Sequence, residues 1–185
     1  MGKKSEIHLY VDGATIEGKN SFGLGWSWPK GKGHATKGEK LRVKVPRDKP
    51  EIAHIYAAAR GLESLANGSK VIVHSVDPTL CRIIQRNMVT VAIGKTKGTP
   101  ELRKAWRALE KAIANHSDVT AEHSANHDER LMSLAHKHAL AAAGKPFNEN
   151  GRKPRQEEAR TATMMAEILD EDGLEDRFPK FDEVA

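Results

Sequence analysis

The chain has 185 residues, of which 38% are hydrophobic, 5% aromatic and 30% charged, so we expect one domain with part of the chain outside its core. It contains no apolar run near the roughly 20 residues that span a bilayer, and no apolar stretch follows its basic N-terminus. The single cysteine, Cys81, excludes an intramolecular disulfide and a multi-cysteine zinc site. Together these features predict a cytoplasmic or otherwise intracellular protein, neither secreted nor embedded in a membrane.

The net charge of +5 is divided unevenly along the chain. Residues 156–185 hold ten acidic and three basic side chains, a net charge of −7. Residues 1–155 hold 27 basic and 15 acidic side chains, a net charge of +12. A basic body favours a nucleic-acid partner. A solvated surface with a solubilising tail explains the same charges, and charge alone does not separate the two interpretations.

Hydrophobic periodicity predicts the elements in chain order. Apolar or alternating runs at 7–12, 22–28 and 41–45 predict three strands of an antiparallel meander. A helix is expected from Glu51, a buried strand at 70–75, and a short helix after Asp77. Thr99 and Pro100 begin a longer helix, followed by a strand at 118–122 and a helix at 126–143. We therefore predict a domain over 1–143, a polar linker over 144–157 and an acidic tail over 158–185 with a short helix.

Basic residues form two candidate nucleic-acid-binding clusters. Aromatic side chains stand near the first of them, since Trp26 and Trp28 share one face of the second strand. They either stack on bases or pack in the core, whereas Trp106 lies on an apolar helical stripe and is predicted to be core. The clusters are Lys30, Lys32, Lys40, Arg42, Lys44 and Arg47 in the meander and its loops, and Lys95, Lys97, Arg103, Lys104 and Arg107 around the helix that begins near residue 100.

The order of elements, together with three segments, resembles the ribonuclease H family. Residues 54–65, H-I-Y-A-A-A-R-G-L-E-S-L, resemble its first helix, and residues 99–123 resemble its basic helix and the following strand. Residues 129–135, E-R-L-M-S-L-A, resemble the start of its last helix. The resemblance covers residues 5–143. It implies an α/β fold with a mixed sheet, an antiparallel meander plus parallel strands, flanked by helices, and it implies nucleic acid, with RNA preferred, as the partner.

The resemblance also implies four carboxylates that hold two magnesium ions about 4 Å apart around a phosphate. Asp12 matches the first of them. The second position falls on His54, the third on Val76 or Asp77, and the fourth on Met132. Magnesium prefers oxygen ligands, so this set is not expected to hold the metal pair. We therefore predict a catalytically inactive, nucleic-acid-binding ribonuclease H-like domain with no bound metal and no cofactor.

Two alternatives remain open from the sequence. In the first, Asp12, Glu51, Asp77 and Asp128 form a relocated magnesium site that cleaves RNA in RNA–DNA hybrids, although Glu51 and Asp128 lie a helical turn, about 5.4 Å, away from the expected positions. First-turn acids that complement helix dipoles explain the same residues. In the second, the domain is a protein-interaction scaffold whose tail presents Phe178 and Phe181 to a partner. The nine histidines, including the closely spaced His136 and His138, are expected at the surface or partly packed rather than as zinc ligands.

Overall fold

The computed structural model describes residues 6–15, 22–41, 49–96, 99–124 and 130–144. These residues belong to the first of the two units into which the chain divides, Met1–Pro146. Five strands and five helices follow one another in the described part. They are β1 (Glu6–Thr15), β2 (Phe22–Lys30), β3 (Gly33–Leu41), α1 (Glu51–Glu63), β4 (Lys70–Ser75), α2 (Pro78–Gln85), α3 (Val89–Lys95), α4 (Pro100–Ile113), β5 (Asp118–His123) and α5 (Arg130–Ala143).

The strands form one mixed sheet in the order β3-β2-β1-β4-β5. The pairs β1–β2 and β2–β3 are antiparallel, whereas β1–β4 and β4–β5 are parallel. Parallel neighbours need a crossover connection, and α1 supplies the connection between the sheet's first three strands and β4. The mixed α/β sheet flanked by helices, predicted from the order of elements, is confirmed.

One face of the sheet carries the main apolar core. Leu9 and Val11 of β1 are fully buried and lie against α1, whose Ile52, Ile55 and Leu62 are also fully buried. Helix α4 packs on α1 and buries Trp106 with 5% of its surface exposed. The core position predicted for this tryptophan is therefore confirmed. Within the described ranges, no helix combines the length and apolarity needed to cross a bilayer.

The opposite face is covered by α5, which lies unusually close to β1 and β2. Gly25 on β2 has no side chain, and a Cβ there would overlap the carbonyl oxygen of Ala135 and lie 2.6 Å from the backbone nitrogen of Ala139. Gly23 meets α5 in the same way further along the strand. Glycine on the strand and alanine on the helix thus let the two backbones approach, which brings side chains of α5 within reach of β1.

The described third strand begins earlier than predicted. Alternation placed the strand at 41–45, whereas β3 spans Gly33–Leu41 and buries only Leu41, and residues 42–45 lie outside the described ranges. As an edge strand it pairs with β2 alone and needs no alternating apolar side chains, so its polar sequence gave no signal. Of the predicted basic cluster in this region, Lys40 lies in β3. Arg42, Lys44 and Arg47 fall outside the described residues.

Two helices also differ from their predictions. For α5 the apolar spacing of the sequence predicts an inward face of Leu131, Leu134, Ala135, His138, Ala139 and Ala142. Ala135 and Ala139 are indeed buried, together with Met132 and Ala143, whereas Leu131, Leu134, His138 and Ala142 are half-buried. The buried positions recur at helical spacing and are mostly alanine, because a larger side chain would not fit so close to the sheet. The seven-residue helix α3 was not predicted at all.

Candidate functional site

The carboxylate of Asp12 lies near the end of β1, almost completely enclosed. The residue is 1% exposed and pairs with Gly25 across β1 and β2, at the point where α5 comes close to the sheet. The backbone N–H of Gly13 donates to its Oδ1 at 2.9 Å. A buried carboxylate is stable only with further hydrogen-bonding or charged partners.

The first such partner is His54 of α1. Its Nδ1 lies 3.3 Å from Asp12 Oδ1 and 3.2 Å from the Gly13 nitrogen. The sequence placed His54 at the position of the second carboxylate of the ribonuclease H pattern, and the structure does bring this residue to Asp12. An imidazole therefore stands where that pattern has an oxygen ligand.

The second partner is His136 of α5, which the sequence analysis did not connect with Asp12. Its Nδ1 lies 2.6 Å from Asp12 Oδ2, a short charge-assisted contact. Met132, the residue counted to the fourth carboxylate position, is completely buried in the core. His136 lies four residues, or one helical turn, after Met132, so the two side chains lie on a similar face of α5. This spacing is the feature of the sequence that could have pointed to His136 as a neighbour of Asp12. Asp12 is thus held between imidazoles from α1 and α5.

This arrangement does not fit a pair of magnesium ions. The side chains that the described residues bring to the Asp12 carboxylate are the imidazoles of His54 and His136, whereas magnesium takes oxygen ligands at about 2.1 Å in octahedral geometry. Over the described ranges, no group of three or more His, Cys, Asp and Glu side chains is placed to hold a metal ion. Asp12 is hydrogen-bonded to His136 and to the backbone N–H of Gly13, and the same N–H also donates to Nδ1 of His54.

The acids of the relocated site serve other purposes where they are described. Asp77 is the N-cap of α2, and its Oδ1 accepts the backbone N–H groups of Thr79 at 2.8 Å and Leu80 at 3.2 Å. Glu51 is in the first turn of α1, with its side chain 33% exposed and 4.0 Å from the ammonium of Lys49. Asp128 lies outside the described residues. Asp77 as an N-cap and Glu51 as a first-turn acid therefore have structural roles in their helices.

The predicted basic clusters occupy two parts of the surface. In the first, Lys30 and Lys32 are exposed at the turn between β2 and β3, and Lys40 is exposed on β3. In the second, Lys95 is exposed at the end of α3, and Lys104 and Arg107 are exposed on α4, while Lys97 lies outside the described ranges.

Helix α4 separates an apolar face from a basic one. Ala105, Trp106, Leu109 and Ala112 are buried, whereas the exposed Lys104, Arg107 and Lys111 follow one another at intervals of three and four residues on the outward side. Arg103 is different, because it is half-buried and its guanidinium donates to the carbonyl oxygen of Thr96 at 3.2 Å. We name Lys104, Arg107 and Lys111 the α4 basic face.

The tryptophans of β2 belong to the core. Trp26 is 4% exposed, and its indole N–H donates to the hydroxyl of Ser64 at 3.0 Å. Trp28 is half-buried and packs against the core cluster. Core packing is therefore the use that the structure shows for Trp26, because its burial leaves no exposed ring face on which a base could stack.

Cys81 is a buried thiol between the ends of β4 and β5. Its sulfur lies 3.6 Å from the carbonyl oxygen of Ser75 and 3.4 Å from that of Glu122. Burial raises the pKa of the thiol to about 11. A thiol that holds its proton at neutral pH is a poor nucleophile, so Cys81 is a packing residue.

A second group of rings lies on β1 and β4. Tyr10 stacks on His74 with ring centroids 4.5 Å apart, and His8 Nδ1 is 2.9 Å from His74 Nε2. The carboxylate of Glu122 on β5 lies 3.7 Å from His74 Nδ1. These contacts tie three neighbouring strands together on one face of the sheet.

The strand order, the helices around it and the placement of Asp12 define a ribonuclease H-like fold. The structure is similar to ribonuclease H1 from the halophilic archaeon Halobacterium salinarum, with a TM-score of 0.57 and 18% identity over 75% of this chain and 97% of that one. It is similar to LC9-RNase H1, a type 1 enzyme with the type 2 active-site motif, with a TM-score of 0.59 and 17% identity over 85% of this chain and 82% of that one.

A third similar structure is LC11-RNase H1 in complex with an RNA/DNA hybrid, with a TM-score of 0.52 and 16% identity over 74% of this chain and 98% of that one. No family model and no curated protein matches the chain. At these identities the likeness establishes the fold, and what the chain does must be argued from its own residues.

Proposed function

We propose that this chain is a nucleic-acid-binding protein, with RNA as its ligand, and that its ribonuclease H-like domain lacks magnesium-dependent cleavage. The observation that carries the proposal is the α4 basic face. Three cations on the outward side of one helix, with Lys95 beside it in sequence, suit the regular negative charge of a phosphate backbone.

The charge of the chain supports the same proposal. Residues 1–155 carry a net charge of +12, and the exposed lysines of the β2–β3 turn add a second cationic region to the α4 basic face. The choice of RNA rests on the family resemblance. One similar structure is bound to an RNA/DNA hybrid, a ligand with an RNA strand.

The proposed loss of magnesium chemistry rests on the surroundings of Asp12. His54 occupies the position of one expected oxygen ligand, and the buried thioether of Met132 occupies another. Neither side chain replaces a hard oxygen ligand for magnesium. No cofactor is therefore part of the proposed function.

Salt-dependent binding tests the proposal. Anisotropy titrations of the full chain with labelled single-stranded RNA, from about 50 to 300 mM salt, should give affinity that falls steeply with salt. Replacing Lys104 and Arg107 with glutamate should reduce the slope of log K against log salt by about 1.4, which is about 0.7 for each lost phosphate contact. Lys70→Glu, an exposed position on β4, is the control for a general loss of charge and should change the slope little.

Two outcomes would favour the alternatives. If RNA does not bind at about 50 mM salt, the protein-interaction scaffold is favoured, with the tail and its Phe178 and Phe181 as the next region to test. If a labelled RNA–DNA hybrid is cut only when magnesium is present, and Asp12→Asn abolishes the cutting, the domain is a divergent magnesium-dependent ribonuclease.

A further inference from the structure

The outer side of β3 is an open strand edge. Among the described strands β3 pairs only with β2, so half of its backbone N–H and C=O groups point away from the sheet. Four consecutive residues of the strand, 37–40, are exposed, and one of them is Gly38, which has no side chain to shield the backbone. An exposed edge of this kind is a template on which another strand can pair.

We propose that β3 pairs with β3 of a second copy of this chain, antiparallel and centred on Gly38. The two five-stranded sheets then become one continuous sheet across a two-fold axis. This dimer does not depend on the proposed function, because no nucleic acid takes part in the contact.

Charge selects the register of this pairing. In an antiparallel pair related by a two-fold axis, the central residue lies opposite its own copy and its neighbours lie opposite each other in reverse order. With Gly38 at the centre, Lys37 lies opposite Glu39 of the second copy, and the same pair forms again on the other side of the axis. A shift of the centre by one residue would place Lys37 opposite Lys37, or Glu39 opposite Glu39. Since opposite charges across a strand pair stabilise it and like charges destabilise it, the register centred on Gly38 is favoured over both neighbours.

The side chains and helices around β3 leave room for the second copy. Lys37 and Glu39 are two residues apart and lie on the same side of the sheet, where both line an open groove of about 670 Å³ together with Arg60. The guanidinium of Arg60 lies 3.6 Å from the Glu39 carboxylate, yet the Glu39 side chain is still 46% exposed and can contact a further cation.

On the other side of the sheet, α5 contacts β2 more extensively than β3. In the dimer, β2 and its copy would stand three strand spacings, about 14 Å, apart. A helix with its side chains is about 10–12 Å wide, so the two copies of α5 fit side by side.

The opposite edge strand, β5, does not suit the same pairing. It has six residues, against nine in β3. Two copies that paired about Thr120 would place Asp118 opposite Glu122, which are like charges. Helix α2 also packs against β5. The two edges of the sheet therefore differ, and the rule that favours self-pairing at β3 opposes it at β5.

Sedimentation velocity of the full chain, freed of nucleic acid, tests the proposal. A single strand pair is a small contact, so we expect association at micromolar rather than nanomolar concentration and a sedimentation coefficient that rises toward a dimer between about 5 and 500 µM. Lys37→Glu and Glu39→Lys each place like charges opposite each other twice, and each should weaken the dimer about 10-fold. Arg82→Glu is the matched control, because it changes the net charge as Lys37→Glu does from an exposed site on α2, and it should leave the dimer unchanged.

A mixture of the two single variants gives the sharpest result. The Lys37→Glu chain carries glutamate at both positions, and the Glu39→Lys chain carries lysine at both. Paired about Gly38, every glutamate of one chain lies opposite a lysine of the other. The mixture should therefore associate at least as tightly as the wild type although each variant alone is mostly monomeric, which misfolding of either variant would not produce.

Three outcomes would overturn the proposal. The first is a wild-type chain that stays monomeric up to about 500 µM, whether solvent, the acidic tail or another molecule covers the edge. The second is a dimer that neither single variant weakens, because its contact would then lie elsewhere. The third is a pair of variants that fail to associate when mixed. In the expected case, hydrogen exchange of β3 amides slows as the protein concentration rises while that of β5 does not change.

Discussion

Replacing Gly25 with alanine tests whether the close approach of α5 to the sheet is what brings His136 to Asp12. A Cβ at this position would overlap the carbonyl oxygen of Ala135 and lie 2.6 Å from the nitrogen and 2.9 Å from the carbonyl carbon of nearby α5 residues. All three are backbone atoms, which cannot rotate away. The helix must therefore move outward by roughly 1.5 Å to restore ordinary van der Waals contact.

The expected cost follows from that displacement. Overpacking a close contact costs about 1–3 kcal/mol of folding free energy. Gly25→Ala should reach at least the upper end of this range, because the helix must move as a unit. A loss of about 3 kcal/mol lowers the thermal unfolding midpoint by about 6–12 °C. Calorimetry or circular dichroism would measure it. Gly94→Ala is the matched control, since a Cβ there meets nothing within 4 Å and the residue lies in α3, where alanine is favoured. An unchanged midpoint for Gly25→Ala would refute the packing described for α5.

Three further outcomes are expected. Adding about 10 mM magnesium should leave the thermal unfolding midpoint of the wild type unchanged. A magnesium site with a Kd near 0.1 mM would instead raise the free energy of unfolding by about 2.7 kcal/mol and the midpoint by roughly 5–11 °C. A shift of that size would favour the magnesium-dependent ribonuclease. Because burial raises the pKa of Cys81 from 9.0 to about 11, the folded state keeps a proton that the unfolded state loses. The contribution of Cys81 to the free energy of unfolding should therefore be fully present below pH 9 and decrease as the pH rises toward 11. Urea unfolding midpoints measure this decrease, and an equal decrease in Cys81→Ala would show that another group causes it. Trp26→Phe removes the hydrogen bond to Ser64 and should cost about 1 kcal/mol while leaving RNA affinity unchanged, so a large loss of affinity would indicate base stacking.

The elements predicted correctly are those whose burial leaves a periodic pattern. Helix α1 begins at Glu51 as expected, and β4 covers Lys70–Ser75, where the apolar run 71–73 marks the strand. Strand β3 has a single buried residue, so no pattern marks it. For α5 the prediction placed Ala135 and Ala139 inward correctly. It also placed the half-buried leucines there, because leucine is a stronger hydrophobic signal than the small residues that face the sheet.

The candidate site divides along similar lines. His54 was located by counting along a helix that the sequence predicted well. The contact of His136 depends on how close α5 lies to β1, and that distance is set by glycines on β2, a tertiary relation that no local pattern contains. Arg103 was grouped with the predicted binding residues because charge was the only evidence. Its hydrogen bond to the carbonyl oxygen of Thr96 depends on how α3 and α4 lie relative to each other, which the sequence does not show.

The exchange of acids for other side chains also changes what the pocket needs in order to be stable. Several carboxylates close together repel one another and raise one another's pKa values unless cations lie among them. With imidazoles from α1 and α5 on either side, the single buried carboxylate of Asp12 has its hydrogen bonds within the protein. These contacts within the protein hold the described end of β1 against α1 and α5.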